Sequence, residues 1–161
     1  MSDNCVFNQF DQTPDPLILN MPTPDSIPLV INVCYGGFGL SKEGAELYDK
    51  LSKHHVSLDR FDPVLIQVIE TLGVKANCNY SKLGIVYIPG KFRDCIKIDE
   101  YDGLESIEID LDKYILNQIH CILTDTELKS EEKVMKSLYA MNNPPDTELH
   151  LLNISPYSDK K

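Results

Sequence analysis

Leu29-Val30-Ile31-Asn32-Val33-Cys34-Tyr35-Gly36-Gly37-Phe38-Gly39-Leu40-Ser41 decides how the rest of the chain is read. It opens as a β-rich run with almost no polar interruption, the pattern of a strand buried on both faces. Gly36, Gly37 and Gly39 then break the run. Ser41 stands where an N-cap belongs, with Glu43 in the first turn beyond it. Leu47, Tyr48 and Leu51 share one face of the helix this predicts, which runs to about Lys53. A strand, a glycine turn and a helix in succession make the chain mixed α and β.

The clearest helix signal follows. Asp62 is an N-cap candidate and Pro63 occupies the first helical position, where a missing N–H costs nothing. Leu65, Val68, Ile69 and Leu72 recur at i, i+3, i+4 and i+7, and Gly73 supplies the stop. Residues 83–88 read as a strand ended by Pro89-Gly90. Residues 95–101 and 105–109 alternate polar with apolar around Asp102-Gly103, a dipeptide suited to a tight hairpin turn with positive φ. Leu111, Tyr114, Ile115, Ile119 and Ile122 stripe one further helix. Leu128, Val134, Met135, Leu138 and Met141 stripe another, ended by Asn142-Asn143-Pro144-Pro145. The fold class expected is α+β, a small antiparallel or mixed sheet with about four helices. Residues 1–27 are expected to be a flexible, proline-rich acidic tail, because Pro14, Pro16, Pro22 and Pro24 interrupt any helix or ladder. Within it, Leu17-Ile18-Leu19 is an apolar patch able to dock on a surface. Residues 28–143 form the domain and 144–161 a C-terminal tail, exchanged between the subunits of a dimer.

The 161 residues suffice for one domain with a core of its own. Acidic residues number 25 against 15 basic ones, a formal net charge of −10. Nucleic-acid affinity comes mostly from Lys and Arg displacing counterions, so nucleic acid is disfavoured as a partner, and so is an anionic membrane. No segment has the length of a membrane span. The start, Met1-Ser2-Asp3-Asn4, lacks the basic patch and apolar stretch of a secretory leader, so a reducing compartment is expected. Five widely spaced cysteines without a CxxC pair are then read as free thiols.

The candidate ligand-binding residues are Gly36, Gly37, Gly39 and Ser41, because exposed N–H groups at a glycine turn opening a helix attract anions. The turn lacks the third glycine of a dinucleotide fingerprint and the GK[ST] ending of a P-loop, and it reads equally as a tight connection with Phe38 plugged into the core. His54-His55 and His120-Cys121 are adjacent pairs. Neighbours on a helix point about 100° apart, so neither pair chelates one ion, and no metal or cofactor is expected. Asp99, Glu100, Asp102, Glu105, Glu108, Asp110 and Asp112 are read as a solvated acidic face. Cys34 is read as a small apolar group, not a nucleophile. No catalytic set emerges.

Several separated motifs nevertheless look familiar. The segment Asn32 to Ser41, with its Tyr35-Gly36-Gly37-Phe38-Gly39-Leu40-Ser41 core, resembles the opening of a group of small phage and giant-DNA-virus proteins. The same group shows Arg60-Phe61-Asp62-Pro63-Val64-Leu65, then Gly73-Val74-Lys75-Ala76-Asn77, and later Glu100-Tyr101-Asp102-Gly103-Leu104-Glu105. The resemblance covers about residues 30 to 108. It implies a viral protein, of a marseillevirus-type giant virus, acting in the cytoplasm of an infected host cell or packaged in the virion. It implies no chemistry, and no catalytic residue carries over. The function expected is a non-enzymatic protein-interaction module, a homodimer engaging host or viral proteins. The alternative is a small nucleotide-binding protein or enzyme using the Gly36–Ser41 turn.

Overall fold

A computed structural model describes residues 15–52 and 59–145 of the chain. Two antiparallel strand pairs and four α-helices make it α+β. The centre is the pair β1 (Ser26–Asn32) and β2 (Leu83–Pro89), in register Val30 against Ile85 and Leu29 against Val86. Both strands are buried on both faces, as the unbroken apolar run requires. One face carries Val30 and Ile85 into a cluster with Tyr48 of α1 (Lys42–Leu51) and Leu65, Val68 and Ile69 of α2 (Pro63–Leu72). The other carries Leu29, Ile31, Val86 and Ile88 against the hairpin of β3 (Ile96–Tyr101) and β4 (Leu104–Ile109), through Ile96, Ile98, Ile107 and Ile109. The order is helices, central strands, hairpin. A short 3-10 segment, Gly90–Cys95, buries Phe92 and turns β2 into β3.

The local signals act as their chemistry dictates. The Asp62 side chain accepts from Val64 N and caps α2, with Pro63 at its start and Gly73, at φ 53°, at its end. The Asp62 carboxylate also accepts the Tyr48 hydroxyl, tying α1 to α2. Asp102 (φ 52°) and Gly103 (φ 85°) both take positive φ, the conformation the tight turn demands. Helix α1 ends at Leu51, and Ser52 caps it by donating its N–H to Tyr48 O.

Two expectations shift. The first strand begins at Ser26, two residues ahead of the expected start of the domain, and ends at Asn32 instead of continuing to Tyr35. Asn32 is its last paired residue, opposite Leu83, and its side chain has partners of its own, described below. Before it the chain turns at residues 23–26, where Ser26 N donates to Thr23 O, and Leu17–Asn20 runs along the free edge of β2, parallel to it. Leu19 N donates to Ile85 O and Ile85 N to Leu17 O, both at 2.9 Å, and the Asn20 amide exchanges two hydrogen bonds with the Tyr87 backbone. Gly84 makes room, since a Cβ there would lie 3.1 Å from Leu19. Leu17 and Leu19 join the hairpin-side cluster.

Helices α3 (Leu111–Thr124) and α4 (Ser130–Asn142) follow β4 as a helical hairpin. Its root is held by Asp110 N donating to Cys95 O and by Tyr114 against Phe92, ring centroids 5.0 Å apart. Neither helix has a buried residue.

Candidate functional site

The glycine turn after β1 lies at a junction of three motifs remote in sequence. Gly36 and Gly37 take φ 123° and 126°. The tip of the β3–β4 hairpin closes on them so tightly that a Cβ at Gly103 would lie 2.1 Å from Gly37 N. Gly36 N donates to Asp102 O at 2.9 Å, and the Glu100 carboxylate accepts from Gly103 N. From the other side, a Cβ at Gly36 would meet Tyr80 O at 2.6 Å, and Gly39 packs on Cys78 and Tyr80. Ser41 caps α1: its Oγ accepts from Gly44 N at 3.0 Å and donates to Lys75 O at 2.6 Å, while Ser41 N donates to Ala76 O. The structure thus brings Gly36, Gly37, Gly39 and Ser41 together, but the amides of Gly36, Ser41 and Gly44 donate within the chain.

Beneath the turn sits a buried polar knot. Glu105 is 4% exposed, so it does not belong to the solvated acidic face expected for its neighbours. Alternation along β4 sends it inward with Ile107. Its Oε1 accepts from Arg60 Nη2 at 2.5 Å and its Oε2 from Asn32 N at 2.8 Å. The fully buried Asn32 side chain donates to Cys34 O and Gly103 O and accepts from Lys82 N. The Arg60 guanidinium lies over the Phe38 ring, its Cζ 3.3 Å from the centroid. Phe38 is half-buried against the helix-side cluster, so it is stacked beneath an arginine more than plugged into the core. Burial pushes the Arg60 pKa below its ordinary value, and Glu105 pulls it back. Sequence reading misplaced Glu105 and assigned no role to Arg60 or Asn32. The available signal was the strand period, which puts a carboxylate on an inward face and so demands a buried cation.

Cys34 is half-buried at the rim of this junction, with Sγ 3.5 Å from Asn32 Oδ1 and 3.7 Å from Tyr80 O, so it bears on polar atoms where an apolar packing role was expected. Burial raises the Cys78 thiol pKa, but hydrogen bonds with Ser81 and Tyr80 outweigh this and hold it below the ordinary value. Cys34, Cys78, Cys95 and Cys121 are free. Among the described residues no group of three or more His, Cys, Asp or Glu side chains is placed to hold a metal ion, and no helix is long and apolar enough to cross a membrane. His54-His55 and the tail beyond Pro145 lie outside the described residues.

The other candidate surface is the helical hairpin, which presents apolar side chains on two sides. On one side a groove of about 570 Å³ runs between the helices, walled by Tyr114, Ile115 and Ile122 of α3 and Met135 and Tyr139 of α4, and closed by Pro145. Leu116 and Leu123, one heptad apart, and Val134, Leu138 and Met141, at i, i+4 and i+7, are absent from that groove and project on the opposite side at 100° per residue. Each is exposed.

No family model matches the chain, and neither curated proteins nor solved structures contain a match to it.

Proposed function

We propose that the chain is a non-enzymatic protein-interaction module of a giant DNA virus, acting in the infected host cytoplasm, and that it works as a homodimer joined through α3 and α4. The observation that carries the proposal is the apolar side of the helical hairpin, Leu116, Leu123, Val134, Leu138 and Met141, exposed on helices with no fully buried residue. A helix apolar beyond one stripe needs a second neighbour. A second copy fits by charge. The whole chain carries −10, yet residues 111–142 hold five acidic side chains (Asp112, Asp125, Glu127, Glu131, Glu132) against four lysines (Lys113, Lys129, Lys133, Lys136). Two acidic chains therefore meet at lowest repulsion hairpin to hairpin, and a two-fold arrangement makes one patch complementary to itself.

The alternative, a nucleotide-binding protein or enzyme built on the Gly36–Ser41 turn, is less well supported, because three of the amides that would cradle a phosphate donate inside the chain. Light scattering on the full chain tests the dimer. The expected mass is two chains, falling to one in Leu138→Asp and in Leu123→Asp. A mass of one chain at every concentration refutes self-association and leaves a host or viral protein as the occupant of this side. A saturable thermal shift with a nucleotide, lost in Gly39→Val, would favour the alternative.

A further inference from the structure

We propose that the groove on the other side of the helical hairpin is the seat of the start of the chain's own C-terminal segment, directly after Pro145, with Leu149 as its apolar anchor. The described chain ends inside the groove: Asn143 and Pro145 form part of its lining. The segment that follows therefore starts at the groove, with no gap to cross. On α4 the groove runs from Met135 to Asn143, about 12 Å at 1.5 Å per residue. An extended chain covers that distance in about four residues at 3.3 Å each. Leu149 is the fourth residue beyond Pro145, and Leu151, two further on, projects on the same side of an extended chain. Leu149 therefore reaches the end of the groove where Ile122 and Met135 stand, and Leu151 lies two residues past it. An extended segment brings unpaired backbone N–H and C=O groups, which need polar partners. Gln118 and Lys136 provide them in the same groove. Pro144-Pro145 prevents the helix from continuing past this point and fixes where the chain turns in. This seat is on the opposite side from the dimer face, so the two proposals stand or fall separately.

Limited chymotrypsin digestion of the full chain, followed by mass spectrometry of cleavage after Leu151 and Leu152, tests it. A docked tail is cut at least about tenfold more slowly than a synthetic peptide of residues 146–161, since cleavage tracks the population of the open form. Tyr139→Asp in the groove and Leu149→Asp in the tail each raise the rate to that of the peptide. Tyr139 is 70% exposed among the described residues, so the core melts unchanged in that variant. Cleavage at the peptide rate in the unsubstituted chain overturns the proposal, as does protection that survives both substitutions. Protection is expected to be independent of protein concentration and retained in Leu138→Asp. Protection that falls on dilution, or in Leu138→Asp, would place the tail in a partner's groove and overturn docking within one chain.

Discussion

The central strands and the helical hairpin are both rich in apolar residues, yet they end up in opposite environments. Leu29, Val30, Ile31, Ile85, Val86 and Ile88 have no exposure at all, while α3 and α4, with nearly twice the residues of β1 and β2, bury none. The strands are covered by α1 and α2 on one face and by the β3–β4 hairpin on the other. The helical hairpin touches the core mainly at its root, through Tyr114 on Phe92. Apolar periodicity therefore sets which side of an element wants covering. It does not set whether the same chain covers it. The first region is built to hold itself together, and the second is left able to hold something else.

The sharpest way to break this comparison is at Gly103. Its positive φ and the 2.1 Å approach of a Cβ to Gly37 N mean that Gly103→Val must force the β-hairpin tip away from the glycine turn. The expected cost is about 4 kcal/mol or more in urea unfolding, at the diagnostic end of single substitutions. A loss under 1 kcal/mol would show that the junction is not a keystone of the core.

Next in size is Glu105→Ala. It leaves the Arg60 charge buried with its carboxylate partner gone and deprives Asn32 N of its acceptor. Breaking one half of a buried pair costs about 3 kcal/mol. Replacing both partners, Arg60→Met with Glu105→Leu, should recover much of that loss, because no charge then remains buried. If the double variant is as unstable as the single one, the pair's role lies in its hydrogen bonds to β1 and not in its charge.

These two residues also show what was legible in the sequence. The α2 caps and the Asp102-Gly103 turn were readable because each is a local device, settled by neighbours a few residues away. The strand at residues 29–35 was readable as buried, but its end was not: Asn32 is its last paired residue, and the Asn32 side chain is held by Gly103 and Lys82, some 70 and 50 residues on. Glu105 was misread by counting carboxylates along the hairpin without assigning each to a face. The groove between α3 and α4 exists only once the two helices are laid side by side, so no stripe on either announces it.

Ser41→Ala is a smaller test of the core. It removes the cap on Gly44 N and the bond to Lys75 O together. The expected loss is about 1 kcal/mol, typical of an N-cap. Because the glycine turn itself is held elsewhere, by Gly36 N on Asp102 O and by the Gly103 contact, its conformation should persist, with α1 fraying at its first turn in hydrogen exchange.

The smallest expected effect on folding belongs to Leu138→Asp. Leu138 is 49% exposed on α4 and touches none of the clusters on either face of β1 and β2. Replacing an apolar side chain that the monomer does not bury removes little transfer free energy, so unfolding at concentrations where the chain is a monomer should change by no more than about 0.5 kcal/mol. At higher concentration the same substitution should lower the melting midpoint relative to the parent, because only the parent gains stability by mass action on dimer formation. The gap between the two conditions measures the interface, while the dilute value measures the fold. A loss above about 2 kcal/mol in dilute solution would mean that this side of α4 is already covered within one chain. The contrast between a self-contained core and an open helical arm would then fail at the residue where it is most exposed to test.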